Sequence, residues 1–147
     1  MRTVQDVLAK NGYTHWSVNS NSSINNAIKQ MAANQTGSLP VIEAGKIVGM
    51  VSDVDCIQKV ILKNKPIDHT YVHEIMTRGF AYTTPTQSIS DCLAIMSAKH
   101  IRHLPVIANG SLIGIVSLSD LLRTIITEQQ DLANSPGKYA FELGYAH

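Results

Sequence analysis

One stretch of this chain occurs twice. Segment 38–60, SLPVIEAGKIVGMVSDVDCIQKV, lies over segment 103–125, HLPVIANGSLIGIVSLSDLLRTI, without a gap. Leu39, Pro40, Val41, Ile42, Gly45, Gly49, Val51, Ser52 and Asp55 recur as Leu104, Pro105, Val106, Ile107, Gly110, Gly114, Val116, Ser117 and Asp120. The register extends backward, pairing Ser23, Ile24, Met31 and Ala33 with Ser88, Ile89, Met96 and Ala98. A weaker echo pairs Val4–Leu8 with Val72–Met76, ahead of each copy. A repeat constrains a fold more tightly than composition does. Each copy must be one supersecondary unit, and a unit of about 60 residues is too small to bury its own apolar surface.

Both copies parse alike. A short extended piece, 15–18 or 80–83, leads into a helix. Ile24, Ala27, Ile28 and Met31, and again Ile89, Cys92, Leu93 and Met96, follow the stripe of an amphipathic helix. Ser23 and Ser88 stand at the capping positions, Ser88 with Asp91 three residues on. Two β-branched runs follow in each copy, 39–42 with 47–51 and 104–107 with 112–116. Asn109-Gly110 marks a tight hairpin in the second copy, and Ala44-Gly45 a weaker version in the first. A second helix closes each unit, with Val54, Ile57, Val60 and Ile61 expected on one face, and Leu118, Leu121, Leu122, Ile125 and Ile126 in the other copy. The predicted fold is α/β (α+β): two β-α-β-β-α units, 12–66 and 76–131, packed through their sheets about an approximate two-fold axis. Lys63–Asp68 is the polar linker.

The remaining bounds narrow the function. Over 147 residues the net charge is +1, which argues against a nucleic-acid or membrane-surface coat. No apolar run approaches the roughly 20 residues of a membrane helix. The start, MRTVQDVLAK, carries no secretory signal pattern, and a cytoplasmic location is expected. Cys56 and Cys92 lack metal-type spacing and read as small buried hydrophobes. There is no phosphate loop, no G-x-G-x-x-G and no nucleophile elbow. The helically spaced pairs His69/His73 and His100/His103 lack recurring acidic or Cys partners, so no metal is expected.

A capped helix, Leu-Pro-Val, a Gly-containing hairpin and G-x-x-S-x-x-D entering a helix together resemble the CBS domain. Lys99–Val106 and Gly114–Asp120 are its most specific parts. Two copies in register resemble the paired arrangement called a Bateman module. The resemblance implies an adenine-nucleotide ligand, AMP before ADP, ATP or NAD, held in two clefts between the repeats. It also implies a homodimer, a downstream protein partner, a role in signal transduction and no catalysis.

The resemblance also assigns residues. Ser52/Asp55 and Ser117/Asp120 have capping-box spacing, which would hold in any protein. The family pattern adds ribose recognition by the aspartates, whose two oxygens suit a vicinal diol, with the serine and helix start toward phosphate. Arg102 and His103 read either as a solvated basic stretch or as cations facing phosphate. The second half-site is expected to comprise Thr83, Thr84, Pro85, Arg102, His103, Leu104, Pro105, Ser117 and Asp120. The first comprises Val18, Ser38, Leu39, Pro40, Ser52 and Asp55, with Trp16 as a further candidate. Because Gly37-Ser38 stands where the second copy has Arg102-His103, the Asp120 cleft is expected to bind phosphorylated adenosine better. The rival function is a ligand-free dimerisation or interaction scaffold in which the Ser/Asp pairs serve only as caps. The tail from Leu132 leaves the pattern, and the alternation over 139–145 is consistent with a docking strand or a disordered end.

Overall fold

In the computed structural model, which describes residues 2–13 and 15–133, the elements follow the repeat. Helix α1 (Val4–Asn11) precedes strand β1 (Val18–Asn19), helix α2 (Ile24–Ala33), strands β2 (Ser38–Glu43) and β3 (Lys46–Ser52), and helix α3 (Asp53–Cys56). Helix α3 continues as a π-helical turn, Ile57–Ile61. The second copy runs α4 (Val72–Ile75), α5 (Ile89–Lys99), β4 (His103–Ala108), β5 (Ser111–Ser117) and α6 (Leu118–Ala133). Its counterpart of β1 is a single parallel bridge, Thr83 to Val106. The alternation expected over 139–145 lies outside the described residues.

Local chemistry sets these elements. Ser23 accepts from Asn26 N–H and Ser88 from Asp91 N–H, so each first helix starts at its serine. Both hairpins turn on two left-handed residues, Ala44-Gly45 and Asn109-Gly110, the geometry whose twist matches paired strands. In both, the strand register slips by one residue at the same place, between Val41 and Ile42 and between Val106 and Ile107.

The two cores are built crosswise. Val72 and Ile75 of α4, with Met76 directly after it, pack with Ile24, Leu39, Val41, Val51 and Val60 of the first copy. Val4, Val7 and Leu8 of α1 pack with Ile89, Cys92, Leu104, Val106, Val116 and Leu121 of the second. Backbone bonds hold each lead-in in place: Val72 N–H to Ser22 O at 2.9 Å, and Val4 N–H to Gln87 O at 2.9 Å. The packing units therefore reach beyond segments 12–66 and 76–131, and the second one is discontinuous in sequence. Two glycines make this possible. A Cβ on Gly49 would lie 2.8 Å from Met76 Sδ and 3.0 Å from the Thr77 carbonyl oxygen, and one on Gly114 would lie 3.0 Å from Leu8. The glycine of the repeated G-x-x-S-x-x-D motif is where the lead-in helix lies against the sheet.

The second helices depart from the expected faces. Val60 and Leu121 are buried, but Val54, Ile57 and Ile61, with Leu122 and Ile126 in the other copy, are about half exposed. Their apolar residues run on two sides of the helix, and only one side meets the sheet. The two sheets meet along β3 and β5, as sheet-to-sheet packing requires.

Candidate functional site

Two cavities open at the junction of the repeats, of about 560 and about 510 Å³, within the range of small-molecule sites. Each is built around one Ser-x-x-Asp turn. Where β3 ends, Ser52 Oγ accepts from Asp55 N–H at 3.1 Å, and Asp55 Oδ2 accepts from Ser52 N–H at 3.0 Å. Where β5 ends, Ser117 Oγ accepts from Asp120 N–H at 3.0 Å and Asp120 Oδ2 from Ser117 N–H at 3.3 Å. The capping box thus forms in both copies. The other carboxylate oxygen pairs with a cation one turn on, Asp55 with Lys59 at 3.1 Å and Asp120 with Arg123 at 3.2 Å. Both aspartates are mostly buried; Arg123 is mostly exposed, so its ion pair adds about 0–1 kcal/mol, while Lys59 is about half exposed and also donates to Ile75 O at 3.0 Å.

The first cavity joins Ser52 and Asp55 to the opposite repeat: Phe80 and Ala81 from its lead-in, and Lys99 at the end of α5, His100 and Arg102 in the turn, and His103 at the start of β4. Pro105 adds apolar wall. The second joins Ser117, Asp120 and Ile115 to Asn34, Gln35, Thr36 and Ser38, with Asn11, His15 and Trp16 completing it. Arg102 therefore faces the cleft of Asp55, not that of Asp120 as the sequence order suggested. The reason is geometric. The turn before β4 lies at the first cavity, and the backbone carbonyl of Arg102 accepts from Leu118 N–H at 2.8 Å. The Arg102 side chain ends beside Gly37 and Asp53 of the first copy.

Ser38 and His103, equivalent in the repeat, each line both cavities and form the partition between them. Burial holds the His103 imidazole below its ordinary affinity for protons, and the Arg102 charge adds to this, while Asp120 and Asp53 pull weakly the other way. The thiol of Cys56, one residue beyond Asp55, is pushed up to about 11 by burial and by Asp55 and Asp53, as expected of an inert packing residue.

The remaining expected residues have other places. Val18, Leu39 and Leu104 are core residues, and Pro40 is buried in β2 without lining either cavity. Thr83 is fully buried, donates to Gln87 Oε1 at 2.8 Å and holds β4 through Pro105 and Ile107. The Pro85 carbonyl accepts from Gln5 N–H of α1 and that of Thr84 from Gln87 N–H, and neither residue lines either cavity. The cavity is lined three residues earlier, at Phe80 and Ala81, an aromatic signal the sequence offered but spacing alone did not single out. Among the described residues no three His, Cys, Asp or Glu side chains gather as a metal site, and no helix is long and apolar enough to cross a membrane.

Comparison with known proteins agrees with this architecture. The CBS domain model matches twice, over residues 4–62 and 72–127, so each match includes a lead-in helix. The CBS domain-containing protein YhcV of Bacillus subtilis is 31% identical over 82% of this chain and 84% of its own length. A protein with CBS domains from Burkholderia ambifaria MC40-6 superposes with a TM-score of 0.81 at 37% identity, covering 87% of this chain and 96% of that one. The CBS domain pair of protein MJ0100, solved with 5′-methylthioadenosine and S-adenosyl-L-methionine, superposes with a TM-score of 0.70 at 25% identity, covering 87% of this chain and 98% of that one. With the family model covering most of the chain in two copies, the protein belongs to the CBS-domain family as a tandem CBS pair.

Proposed function

We propose that this CBS pair is a regulatory module, not an enzyme, that binds an adenine nucleotide in the cleft of Asp55 and passes its occupancy to a partner protein in signal transduction. One observation carries this reading: the cavity brings Arg102 of one repeat onto the Ser52–Asp55 turn of the other. A nucleotide spanning the cleft meets a carboxylate for its ribose diol at one end and a guanidinium fork for its phosphate at the other. Phe80, Ala81 and Pro105 supply apolar wall for the base. The adenosine ligands in the MJ0100 pair support the ligand class. Such a ligand contacts both repeats, so it shifts their relative arrangement by its differential affinity for the two arrangements.

The same reading includes a homodimer. Ile57 and Ile61, and their repeat equivalents Leu122 and Ile126, leave matching apolar positions about half exposed on the second helices, with Val54 and Leu62 beside the first pair.

Thermal unfolding with AMP, ADP, ATP and NAD tests the proposal. At a hundred times its dissociation constant a ligand adds about 2.7 kcal/mol, a midpoint rise of roughly 5–10 °C at this length. A rise with one of them, lost in Arg102→Ala, is the expected result. No rise with any at millimolar concentration points instead to the ligand-free scaffold, in which the two capping boxes are purely structural.

A further inference from the structure

Asp55 is tied to more than its cap. Its Oδ2 accepts from Ser52 N–H and from the Ser52 hydroxyl, both at 3.0 Å. Oδ1 is therefore the oxygen left for a ligand, and Lys59 Nζ holds it at 3.1 Å. The same ammonium donates to the Ile75 carbonyl oxygen at 3.0 Å. Ile75 is the last residue of α4, where helix carbonyls lack intrahelical partners. Directly after it the chain leaves the first core for the second repeat. There Thr77 N–H donates to Met50 O at 2.8 Å, and Met50 N–H to Thr77 O at 3.0 Å. Thr77, Phe80 and Ala81 then form part of the wall of the first cavity. One ammonium joins the carboxylate of the cleft to the connector that lines it.

Among the described residues the second repeat has no such link. Thr124 stands where the first copy has Lys59, and its hydroxyl donates to Asp120 O of its own helix at 3.0 Å. Arg123 bonds the Asp120 carboxylate from that same helix. The backbone differs at the same place. Ile57–Ile61, centred on Lys59, is a π-helical turn, whereas α6 is α-helical from Leu118 to Ala133. Single π turns of this kind are frequent at functional positions.

We propose that Lys59 is the positioning residue of the Asp55 cleft, aiming the free carboxylate oxygen and fastening it to the connector between the repeats. This rests on the reading that the cleft takes a nucleotide, and it adds how binding reaches the second repeat. An ammonium has three N–H donors, of which Asp55 and Ile75 take two. Lys59 is about half exposed, so the third is open to a hydroxyl oxygen of the diol at Asp55. A bound ligand completes the set, tightens the hold on Ile75 and steadies segment 76–81.

Hydrogen exchange at the Thr77 amide and calorimetric titration with AMP test this in the parent protein, Lys59→Met and Lys59→Arg. In the parent, saturating AMP is expected to slow Thr77 exchange about fivefold or more. Lys59→Met keeps the apolar stem; it is expected to weaken AMP about tenfold and to abolish the slowing even at saturation. Lys59→Arg, which keeps donors for both acceptors, is expected to restore both readouts to within about threefold. AMP affinity within about twofold of the parent in Lys59→Met overturns the positioning role. Weakened AMP with Thr77 still slowed at saturation overturns the link to the connector, while leaving nucleotide binding intact. No heat with AMP in the parent protein sinks the nucleotide reading itself.

Discussion

The two clefts share one scaffold and differ in their walls. At equivalent positions the first repeat carries Gly37 and the second Arg102, yet both perform the same backbone task. The Gly37 carbonyl accepts from Asp53 N–H at 2.9 Å, and that of Arg102 accepts from Leu118 N–H at 2.8 Å. The carbonyl performs this task in both, but the side chains differ: one repeat places a guanidinium in the opposite cleft, and the other carries glycine where a Cβ would lie 3.0 Å from Asp53 Oδ2 and 3.5 Å from that guanidinium. The same holds at the partition, where Ser38 and His103 occupy matching ends of β2 and β4, opposite Ser52 and Ser117. Duplication fixes the frame twice, and the divergence that matters sits in side chains on a repeated backbone.

The largest expected effect tests the crosswise frame. Leu8 is nearly fully buried against the second repeat, so Leu8→Ala is predicted to cost about 2–5 kcal/mol in chemical denaturation. A loss below about 1 kcal/mol would mean that α1 is dispensable to that core. Next is the difference between the walls. Arg102→Ala is expected to weaken AMP by about tenfold to a hundredfold in calorimetry, the worth of a charge-assisted hydrogen bond. The exposed Arg123→Ala is expected to leave AMP within about twofold. Comparable losses from both would erase the distinction between the clefts.

Smaller again is the contrast of the two motif glycines. Gly49→Ala and Gly114→Ala both overpack, at about 1–3 kcal/mol. Gly49→Ala is expected to be the costlier. Its added methyl meets the Thr77 backbone as well as a side chain, whereas at Gly114 it meets only the end of Leu8. The reverse order in thermal or denaturant unfolding would contradict the packing described.

The smallest effect concerns the partition. Burial, with help from Arg102, keeps His103 neutral in the fold, below the ordinary histidine value of 6.5. As pH falls through 6.5 the unfolded chain therefore takes up a proton that the folded one resists, and stability falls. His103→Gln is expected to flatten this acid slope between about pH 7 and 5. A nearby phosphate favours the imidazolium, so AMP is expected to bind with proton uptake and tighten as pH falls. An unchanged slope in the variant would place His103 outside the balance.

Much of this was legible in the repeat. Helix starts at Ser23 and Ser88, both hairpins, the Ser-x-x-Asp turns and the meeting of the sheets follow from local patterns that occur twice. The exchange of partners was not legible. Periodicity shows that Val4 to Leu8 and Val72 to Met76 are alike, but not which sheet each one covers. For the same reason Arg102 and Asp120, close in sequence, stand in different clefts. Thr83–Pro85 are assigned to the cleft wall by the family resemblance alone, because spacing does not show which surface a strand end faces. Here that segment is covered by α1, which comes from the far end of the chain.

The account turns on which aspartate holds the nucleotide. Calorimetric titration of AMP into Asp55→Asn and Asp120→Asn decides it, because asparagine keeps the cap and removes the charge. The prediction is a loss of about tenfold or more in Asp55→Asn, with Asp120→Asn within about twofold of the parent protein. A loss confined to Asp120→Asn would contradict it, returning phosphate recognition to the cleft of Asp120.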